Sequence, residues 1–427
     1  MPQGSPELYV ILVGSGIALI CLWGAFHFRR KRRLLADLPT CKTQGVFIGF
    51  VELAGTAESN GPLTSHLAGI PCVAYTWTVE EHWRRGFGKN RKSGWETVGS
   101  GGLMIPFYLR DETGVLRIIP FGAKLETKTV FDIECEPDDP LYYSKGPREA
   151  VSGSTDERRF VEQALPLHTP LFVVGVARER EDIVAPEIAE DRAAPLFLIS
   201  TRSERAVRSG FLWMALACEL LALAALGVGL WMAFNADPRQ EAPPAGAIAA
   251  AAGGFLLAWT LGWLWMAYNA LVNLRQRVQQ AWSLIDVQLK RRNDLIPNLV
   301  EAVKGHRDFE SAVQIELAAL RAQLGATPPG QPGPDPAACA RTIAMIAERY
   351  PDLKASESFL KLQEEIGDTE SRIALARAYF NDLATFYNTR LEIFPDRLVA
   401  RLARLQPRNL MEAAGFERAP VAVDLIH

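Results

Sequence analysis

Two segments of this sequence contain residue types that could do chemistry. His82 follows Glu80 and Glu81, and a histidine beside acidic residues could act as a general base. No nucleophile and no second histidine lies near it in the sequence, so a structural histidine is the favoured interpretation. The segment Gly99–Gly102 (Gly-Ser-Gly-Gly) is glycine-rich, but it lacks the lysine and the helix start of a phosphate-binding loop. We interpret it as a turn.

A third candidate is Glu219, which lies inside an apolar stretch of the chain. An acid at that depth in a membrane is costly and usually faces protein or water. It is either a proton or ion site, or a protonated acid that is hydrogen-bonded to a neighbouring helix. Because the sequence shows one acid and no partner charge within the apolar stretches, the second interpretation is favoured.

Cysteine spacing argues against a disulfide framework and against a zinc site. No two of the cysteines form a C-x-x-C pair, and two of them lie inside apolar stretches. We therefore predict free thiols in a reducing compartment, and no catalytic residue, cofactor or metal. The six cysteines are Cys21, Cys41, Cys72, Cys135, Cys218 and Cys339.

The charge balance argues against nucleic acid as a partner. The formal net charge is −3, whereas a protein that binds a duplex usually has a strong basic excess. The 427 residues are enough for two or three domains. Hydrophobic residues make up 48% of the chain and are concentrated in three stretches, and the rest resembles soluble protein.

The first apolar stretch, Leu8–Phe28, predicts a transmembrane helix. It is long enough to cross a hydrocarbon core of about 30 Å. The basic run Arg29–Arg33 follows it, whereas a secretory signal peptide has its positive charge first. We therefore predict an uncleaved anchor with its N-terminus outside and its basic end in the cytoplasm. The basic run is interpreted as a stop-transfer signal that also attracts anionic headgroups.

Two further stretches, Phe211–Phe234 and Ala247–Tyr268, predict a hairpin of transmembrane helices. The connection Asn235–Gly246 is short and contains three prolines and a single arginine. Arginines flank the pair on its other side, at positions 202, 205, 208, 275 and 277. The positive-inside rule therefore places both flanks in the cytoplasm, in agreement with the first stretch.

The region 34–209 is predicted to be a β-rich α+β domain, barrel-like in form. Its strand signals are Val46–Leu53, Cys72–Trp83 and Thr169–Ala177. Segments 104–109 and 115–119 are expected to form a hairpin around Arg110–Gly114. Asp156–Leu165 is predicted to be a short helix.

The region 268–427 is predicted to be an all-α antiparallel bundle. Its first helix has apolar residues at positions 271, 274, 278, 281, 285 and 289, and the stripe resumes at 296, 299 and 303. Pro297 is expected to kink that helix, and Lys290–Arg292 is interpreted as a solvated face. A loop at 326–336 and a short helix at 336–350 are expected to follow.

The clearest periodic signal is a heptad seam with alternating steps of three and four residues. It predicts a second long helix that packs against the first, and Pro395 is expected to end it. The seam residues are Phe359, Leu362, Ile366, Thr369, Ile373, Ala376, Phe380, Leu383 and Tyr387.

The β-rich region resembles the GIDE domain of mitochondrial and chloroplast membrane E3 ubiquitin ligases. The resemblance covers roughly residues 34–235, and it implies a domain that lies between two membrane spans. In those ligases the activity resides in a zinc-bound RING, and this sequence lacks that cysteine array, so ligase activity does not follow. The segments that carry it are Gly45–Val51, Pro62–Ser65, Val79–Trp83, Ile105–Leu109 and Phe172–Gly175.

The C-terminal half is similar to the LemA family, which implies a bacterial, membrane-anchored protein with a long helical bundle. The resemblance implies no established enzymatic activity. This sequence departs from the family before the third apolar stretch, where most members have only a short N-terminus. The matching segments are Tyr268–Val272, Ala281–Arg292, Asp294–Val300, Tyr350–Ala355, Thr369–Ala374 and Phe386–Asn388.

These patterns predict a multi-pass protein of the cell inner membrane that acts as a scaffold, with both soluble domains in the cytoplasm. The expected partners are other membrane or cytoplasmic proteins and the lipid bilayer, and homo-oligomers are possible. The alternative is a component or relative of a membrane E3 ubiquitin-ligase-like enzyme that acts through the GIDE-like domain. A third hypothesis is transport that depends on Glu219.

Overall fold

The computed structural model describes residues 6–86, 91–180, 182, 185–192, 194–235, 245–304 and 357–411. The chain divides into two compact units. One comprises residues 40–213, and the other combines residues 1–39 with 214–427. They are called the β-rich unit and the helical unit below, and each is described separately.

In its described residues the β-rich unit contains two sheets, a turn of 3-10 helix (Thr43–Gly45) and a short helix, α2 (Pro140–Ser144). The strands of the first sheet are β1 (Thr40–Cys41), β2 (Gly49–Glu58), β6 (Phe107–Arg110), β7 (Val115–Ile118), β8 (Lys124–Glu126), β11 (Pro170–Glu179), β12 (Pro186–Ala189) and β13 (Leu198–Ser200). Those of the second sheet are β3 (Leu63–Thr64), β4 (Pro71–Arg85), β5 (Lys92–Met104), β9 (Lys128–Cys135) and β10 (Ser154–Pro166).

Five strands of the first sheet close into a ring in the order β2–β6–β7–β12–β11, because β11 pairs back onto β2. All neighbours in the ring are antiparallel except β7 and β12, which are parallel. Each strand contributes a fully buried aliphatic side chain to the core: Leu53, Leu109, Ile118, Val173 and Ile188. A closed ring leaves no exposed edge along those strands, and the predicted barrel-like form is confirmed.

The strand predictions in this unit are confirmed with shifts at their ends. Val46–Leu53 overlaps β2, which begins at Gly49. Cys72–Trp83 falls within β4, and Thr169–Ala177 overlaps β11, which begins at Pro170. The hairpin is also confirmed, because β6 and β7 pair directly and Arg110 faces Val115. The carboxylate of Asp111 accepts hydrogen bonds from Thr113 and Gly114 inside that turn.

The helix predicted at Asp156–Leu165 is wrong, because these residues belong to β10, which pairs with β4 and β9. Alternate side chains of β10 are buried, at Arg158, Phe160, Glu162 and Ala164. This is the two-residue period of a strand. Two of the four buried residues are charged, so an apolar periodicity does not reveal the alternation.

The turn predicted at Gly99–Gly102 is also wrong, because the segment lies inside β5 and pairs with β4. Close approach of the neighbouring strand β4 explains the glycines. A Cβ atom added at Gly101 would lie 2.9 Å from the indole Nε1, and one added at Gly102 would lie 2.6 Å from the Tyr75 carbonyl oxygen. Glycine is therefore required by close approach rather than by a turn.

The helical unit contains the long helices, and α3 starts in the β-rich unit. The described helices are α1 (Pro6–Ala36), α3 (Glu204–Asn235), α4 (Ala245–Lys304), α5 (Glu357–Glu392) and α6 (Asp396–Leu402). Within the described residues, three helical segments are long and apolar enough to cross a membrane, judged by length and composition: Tyr9–Ala36, Glu204–Asn235 and Ile248–Leu295. These segments overlap the three apolar stretches identified from the sequence, two of which begin one residue earlier, at Leu8 and Ala247.

The third apolar stretch and the first helix of the predicted bundle form one continuous helix, α4, of 60 residues. Its predicted stripe from Leu271 to Leu289 is buried at every position. Pro297 lies inside the helix. The later stripe positions 296, 299 and 303 lie outside the side chains that the structure describes, as do the loop at 326–336 and the helix at 336–350.

Helix α5 confirms the seam, whose residues from Ile366 to Tyr387 are buried. The Trp282 and Phe380 rings lie 5.6 Å apart. Arg292, ten residues later on α4, contacts Glu370, ten residues earlier on α5. The two helices therefore run antiparallel, and a complete bundle stays a prediction.

Two smaller predictions have mixed outcomes. Lys290–Arg292 is not a uniformly solvated face, because Arg292 is buried beside Glu370 at 3.5 Å. Helix α5 ends at Glu392 and Pro395 stands just before α6, as expected of a helix terminator.

Free thiols are confirmed for Cys21, Cys72, Cys135 and Cys218. Cys41 is buried, and Cys339 lies outside the described residues.

Candidate functional site

The basic run after the first apolar stretch is the centre of an ionic network in the helical unit. It lies in the last turns of α1, where cationic side chains interact favourably with the helix dipole. The Nη2 atom of Arg29 lies 2.7 Å from Oε2 of Glu219 on α3. The Nη2 atom of Arg33 lies 3.2 Å from Oδ1 of Asp396 at the start of α6. One end of α1 is therefore bound to two other helices.

A third arginine completes the network from the other side. Arg390, in the last turn of α5, donates hydrogen bonds of 2.7 and 3.0 Å to Oδ1 of Asp37. It also donates to Oδ2 of Asp396 at 3.1 Å, so Asp396 accepts from both Arg390 and Arg33. Burial raises the pKa of the Asp37 carboxyl, and the charge and hydrogen bonds of Arg390 oppose that rise.

Beside this network, α1 and α4 enclose a cavity of about 230 Å³. Arginines, asparagines and the Asp37 carboxylate line it together with Trp265 and Met266. Hydrogen-bond donors and positive charge dominate its polar wall, so its chemistry suits an anion.

The bonding partner of Glu219 therefore differs from the one that the sequence favoured. A neighbouring helix does bind it, as expected, but the partner is the guanidinium of Arg29. The sequence does not reveal this partner, because Arg29 follows the predicted end of the apolar stretch. An arginine side chain is long enough to reach back along its own helix.

His82 lies on β4 and is not part of this network. Its Nδ1 atom lies 2.8 Å from Oγ1 of Thr155 and 3.1 Å from Oε2 of Glu157. A catalytic relay needs the nucleophile and the acid at opposite ring nitrogens. Here both groups meet the same nitrogen, which fits a structural histidine better than a general base.

The residue that sequence reasoning missed most clearly is Arg158, whose side chain is 1% exposed. Its Nε and Nη2 atoms contact Oε2 of Glu81 at 3.0 and 2.9 Å. Its remaining hydrogen bonds go to the carbonyl oxygens of Tyr142, Pro147 and Glu149 at 3.0, 2.8 and 3.3 Å. The guanidinium also lies 4.0 Å from the Tyr142 ring centroid. With every donor group engaged, Arg158 acts as a structural centre of the β-rich unit.

The residues that the structure describes contain no group of three or more His, Cys, Asp or Glu side chains placed to hold a metal ion. They comprise a β-rich unit with a closed five-stranded ring, three candidate membrane-spanning helices and an antiparallel helical pair. This combination defines a protein with two distinct folded parts joined through long apolar helices.

Comparison with known proteins identifies both parts. Residues 281–425 match the LemA family, and residues 77–231 match the GIDE model, described as E3 ubiquitin ligase. The chain therefore combines a LemA-family region with a GIDE domain, as the resemblances predicted. The quoted segments before residue 77, and Tyr268–Val272, lie outside the matched residues.

Two curated relatives match with low identity. Protein LemA of Metamycoplasma hominis is 26% identical over 171 residues, which cover 38% of this chain and 78% of that protein. Magnetosome protein MamQ of Magnetospirillum gryphiswaldense is 24% identical over 163 residues, which cover 31% of this chain and 60% of that protein.

Proposed function

We propose that this protein is an integral membrane scaffold of the bacterial inner membrane, with its GIDE domain and LemA-like helical bundle in the cytoplasm. The observation that carries the proposal is the continuity of α4, a single helix of 60 residues. It contains the third apolar stretch and the buried stripe from Leu271 to Leu289. A bilayer that holds the apolar end of such a helix also holds the packed end close to the membrane surface.

The ionic network supports the same arrangement. Arg33 and Asp37, just beyond the first apolar stretch, are bound to Asp396 and Arg390. The start of α6 and the end of α5 are thereby tied to the basic end of α1. Because that end faces the cytoplasm by the positive-inside rule, the helical region belongs on the same side.

Membrane topology can be tested with single cysteines introduced into a variant that lacks the natural ones. Asn60→Cys lies at an exposed position of the β-rich unit, and Arg397→Cys lies at an exposed position of α6. We expect a membrane-impermeant thiol reagent to label both only after permeabilisation. Gln240→Cys, in the connection between the second and third apolar stretches, is the matched control and is expected to react in intact cells. Labelling of Asn60→Cys or Arg397→Cys in intact cells would refute the topology.

The scaffold role can be tested with photo-crosslinkers in native membranes. Phe121 of the β-rich unit and Val287 of α4 are 49% and 60% exposed, so crosslinkers there can reach a partner. We expect each position to capture its own protein partner. A crosslinker at buried Ile285 is the control, because it can reach only this chain. Products that contain only this chain from both exposed positions would contradict the scaffold.

A second candidate function is an E3 ubiquitin-ligase-like role, which the GIDE match favours. The sequence has no C-x-x-C pair from which a RING could be built, so the chain would have to act together with another subunit. Ubiquitin transfer by the full chain when it is purified from the membrane together with its bound partners would favour this candidate over the scaffold.

A further inference from the structure

The cavity between α1 and α4 has the chemistry of a phosphate site. Helix α1 contributes Arg30 and Arg33, and α4 contributes Asn269, Asn273 and Arg277. Guanidinium groups bind phosphate oxygens through charged, often bidentate hydrogen bonds, and side-chain amides add further donors. The cavity volume of about 230 Å³ is ample for one phosphate group.

Positive charge exceeds negative charge around this cavity. Asp37 lines the wall, but its carboxylate accepts two hydrogen bonds from Arg390. The second acid of the network, Asp396, is shared by Arg390 and Arg33. The charged side chains that line the wall are three arginines, Arg30, Arg33 and Arg277, and one aspartate, Asp37. The excess favours an anionic ligand.

The cavity lies at the level expected for lipid headgroups. Arg30 and Arg33 are two and five residues beyond Phe28, the predicted end of the first span. At about 1.5 Å per residue they lie within roughly 8 Å of the apolar stretch. Trp265 lines the same cavity near the end of the third stretch, and tryptophan is enriched at the membrane interface.

Apolar side chains near the network favour a lipid over a free anion. Phe394, Leu398 and Leu402, in and just before α6, are 74%, 50% and 80% exposed. They flank Asp396, which binds Arg33 of the cavity wall. Exposed apolar residues that accompany arginines are typical of a segment that lies in the membrane interface.

We propose that the cavity binds the phosphate of an anionic phospholipid headgroup. Arg30 and Arg277 bind the phosphate oxygens, and Asn269 and Asn273 donate further hydrogen bonds to the headgroup. The proposal rests on the membrane placement proposed above. It adds a defined lipid site to the diffuse attraction that any basic run has for an anionic surface.

The test uses the purified full chain in mixed micelles of detergent and phosphatidylcholine, with phosphatidylglycerol as the probe. Native mass spectrometry then counts the lipid that survives washing. We expect wild type to retain phosphatidylglycerol at one molecule per chain. Arg30→Gln and Arg277→Gln should each lower its affinity by about fivefold or more. Lys31→Gln removes a charge from the same basic run but not from the cavity wall, and should retain the lipid as wild type does.

Three results would overturn the proposal. Equal losses in Lys31→Gln and in the cavity variants would indicate diffuse surface attraction. Equal retention of phosphatidylcholine and phosphatidylglycerol would show that the headgroup charge is not recognised. Displacement of the lipid by inorganic phosphate at equal concentration would identify a free anion as the ligand.

A second variant covers the case in which an arginine variant fails to fold. Asn273→Asp places a negative charge at the cavity and leaves every arginine in place. It should lose the lipid while its helical circular dichroism stays that of wild type, and retention of the lipid would overturn the proposal. Wild-type protein that shows the expected thiol-labelling pattern but no preference for phosphatidylglycerol would refute the site alone and leave the proposed topology intact.

Discussion

Arg158 in the β-rich unit and Arg30 and Arg33 in the helical unit are arginines in two very different settings. Arg158 is enclosed, and its guanidinium is bonded to Glu81 and to three carbonyl oxygens. Arg30 and Arg33 line a cavity. The comparison teaches that an arginine whose donors all bond within the protein holds a domain together, whereas an arginine that faces a cavity can also bind a ligand.

The largest expected effect concerns the buried hydrogen bonds of Arg158. Arg158→Ala would leave the Glu81 carboxylate buried without its cation, and losing one partner of a buried ion pair costs about 3–5 kcal/mol. Denaturant unfolding of the full chain should show this loss in the β-rich unit. The matched control is Arg159→Ala, because Arg159 binds Asp132 at the surface, and it should change stability little. Equal effects of the two substitutions would refute the structural role of Arg158.

Glu52 of the β-rich unit is also fully buried, and its carboxyl group accepts a hydrogen bond from the neutral hydroxyl of Thr40. Burial, with a smaller contribution from the charge of Glu204, raises the pKa of Glu52 to about 8 from 4.5. The folded protein therefore keeps a proton that the unfolded chain loses. The contribution of Glu52 to the free energy of unfolding is therefore fully present below pH 4.5. It falls by about 1.4 kcal/mol per pH unit as the pH rises towards 8.

We expect Glu52→Gln to abolish this pH dependence, because glutamine has the same shape and stays neutral. Thermal unfolding of the full chain across that pH range measures the effect. Glu112→Gln, at an exposed position of the hairpin turn, should keep the wild-type dependence. A wild-type melting temperature that does not fall over the range would show that Glu52 does not hold its proton.

In the helical unit, the pair Arg29–Glu219 should show a moderate coupling. A double-mutant cycle with Arg29→Met and Glu219→Leu should give a coupling energy of about 0.5–3 kcal/mol in thermal unfolding in detergent. The pair Arg208–Glu204 lies within one helix, four residues apart and partly exposed, and should give only about 0.3–0.5 kcal/mol. A coupling energy near zero for Arg29–Glu219 would show that this ion pair does not stabilise the helical unit.

The smallest effect is expected at Tyr387, a fully buried residue of the α5 seam. Its hydroxyl has no hydrogen-bond partner among the described residues, and burial raises its pKa. Tyr387→Phe should leave the free energy of unfolding unchanged or raise it by less than about 1 kcal/mol. Tyr387→Ala, the contrast that removes the ring, should lower it by about 3–5 kcal/mol. A clear loss in Tyr387→Phe would reveal a partner for the hydroxyl.

The sequence by itself determined the features that depend on local pattern. The apolar stretches, the stripe from Leu271 to Leu289, and the seam on α5 follow from a period of three to four residues, which any helix expresses along its own length. The strands at Cys72–Trp83 and Thr169–Ala177 follow in the same way from alternation and from β-branched and aromatic residues.

Only the tertiary structure decided which charges meet. Arg158 and Glu81 are 77 residues apart, Arg29 and Glu219 are 190 apart, and Arg390 and Asp37 are 353 apart. Gly99–Gly102 resembles a turn until the Trp77 ring is seen against it. The physical reason is that a polar group is stabilised in a folded protein by the partner that packing brings to it. That partner leaves no signal in the residues nearby in sequence.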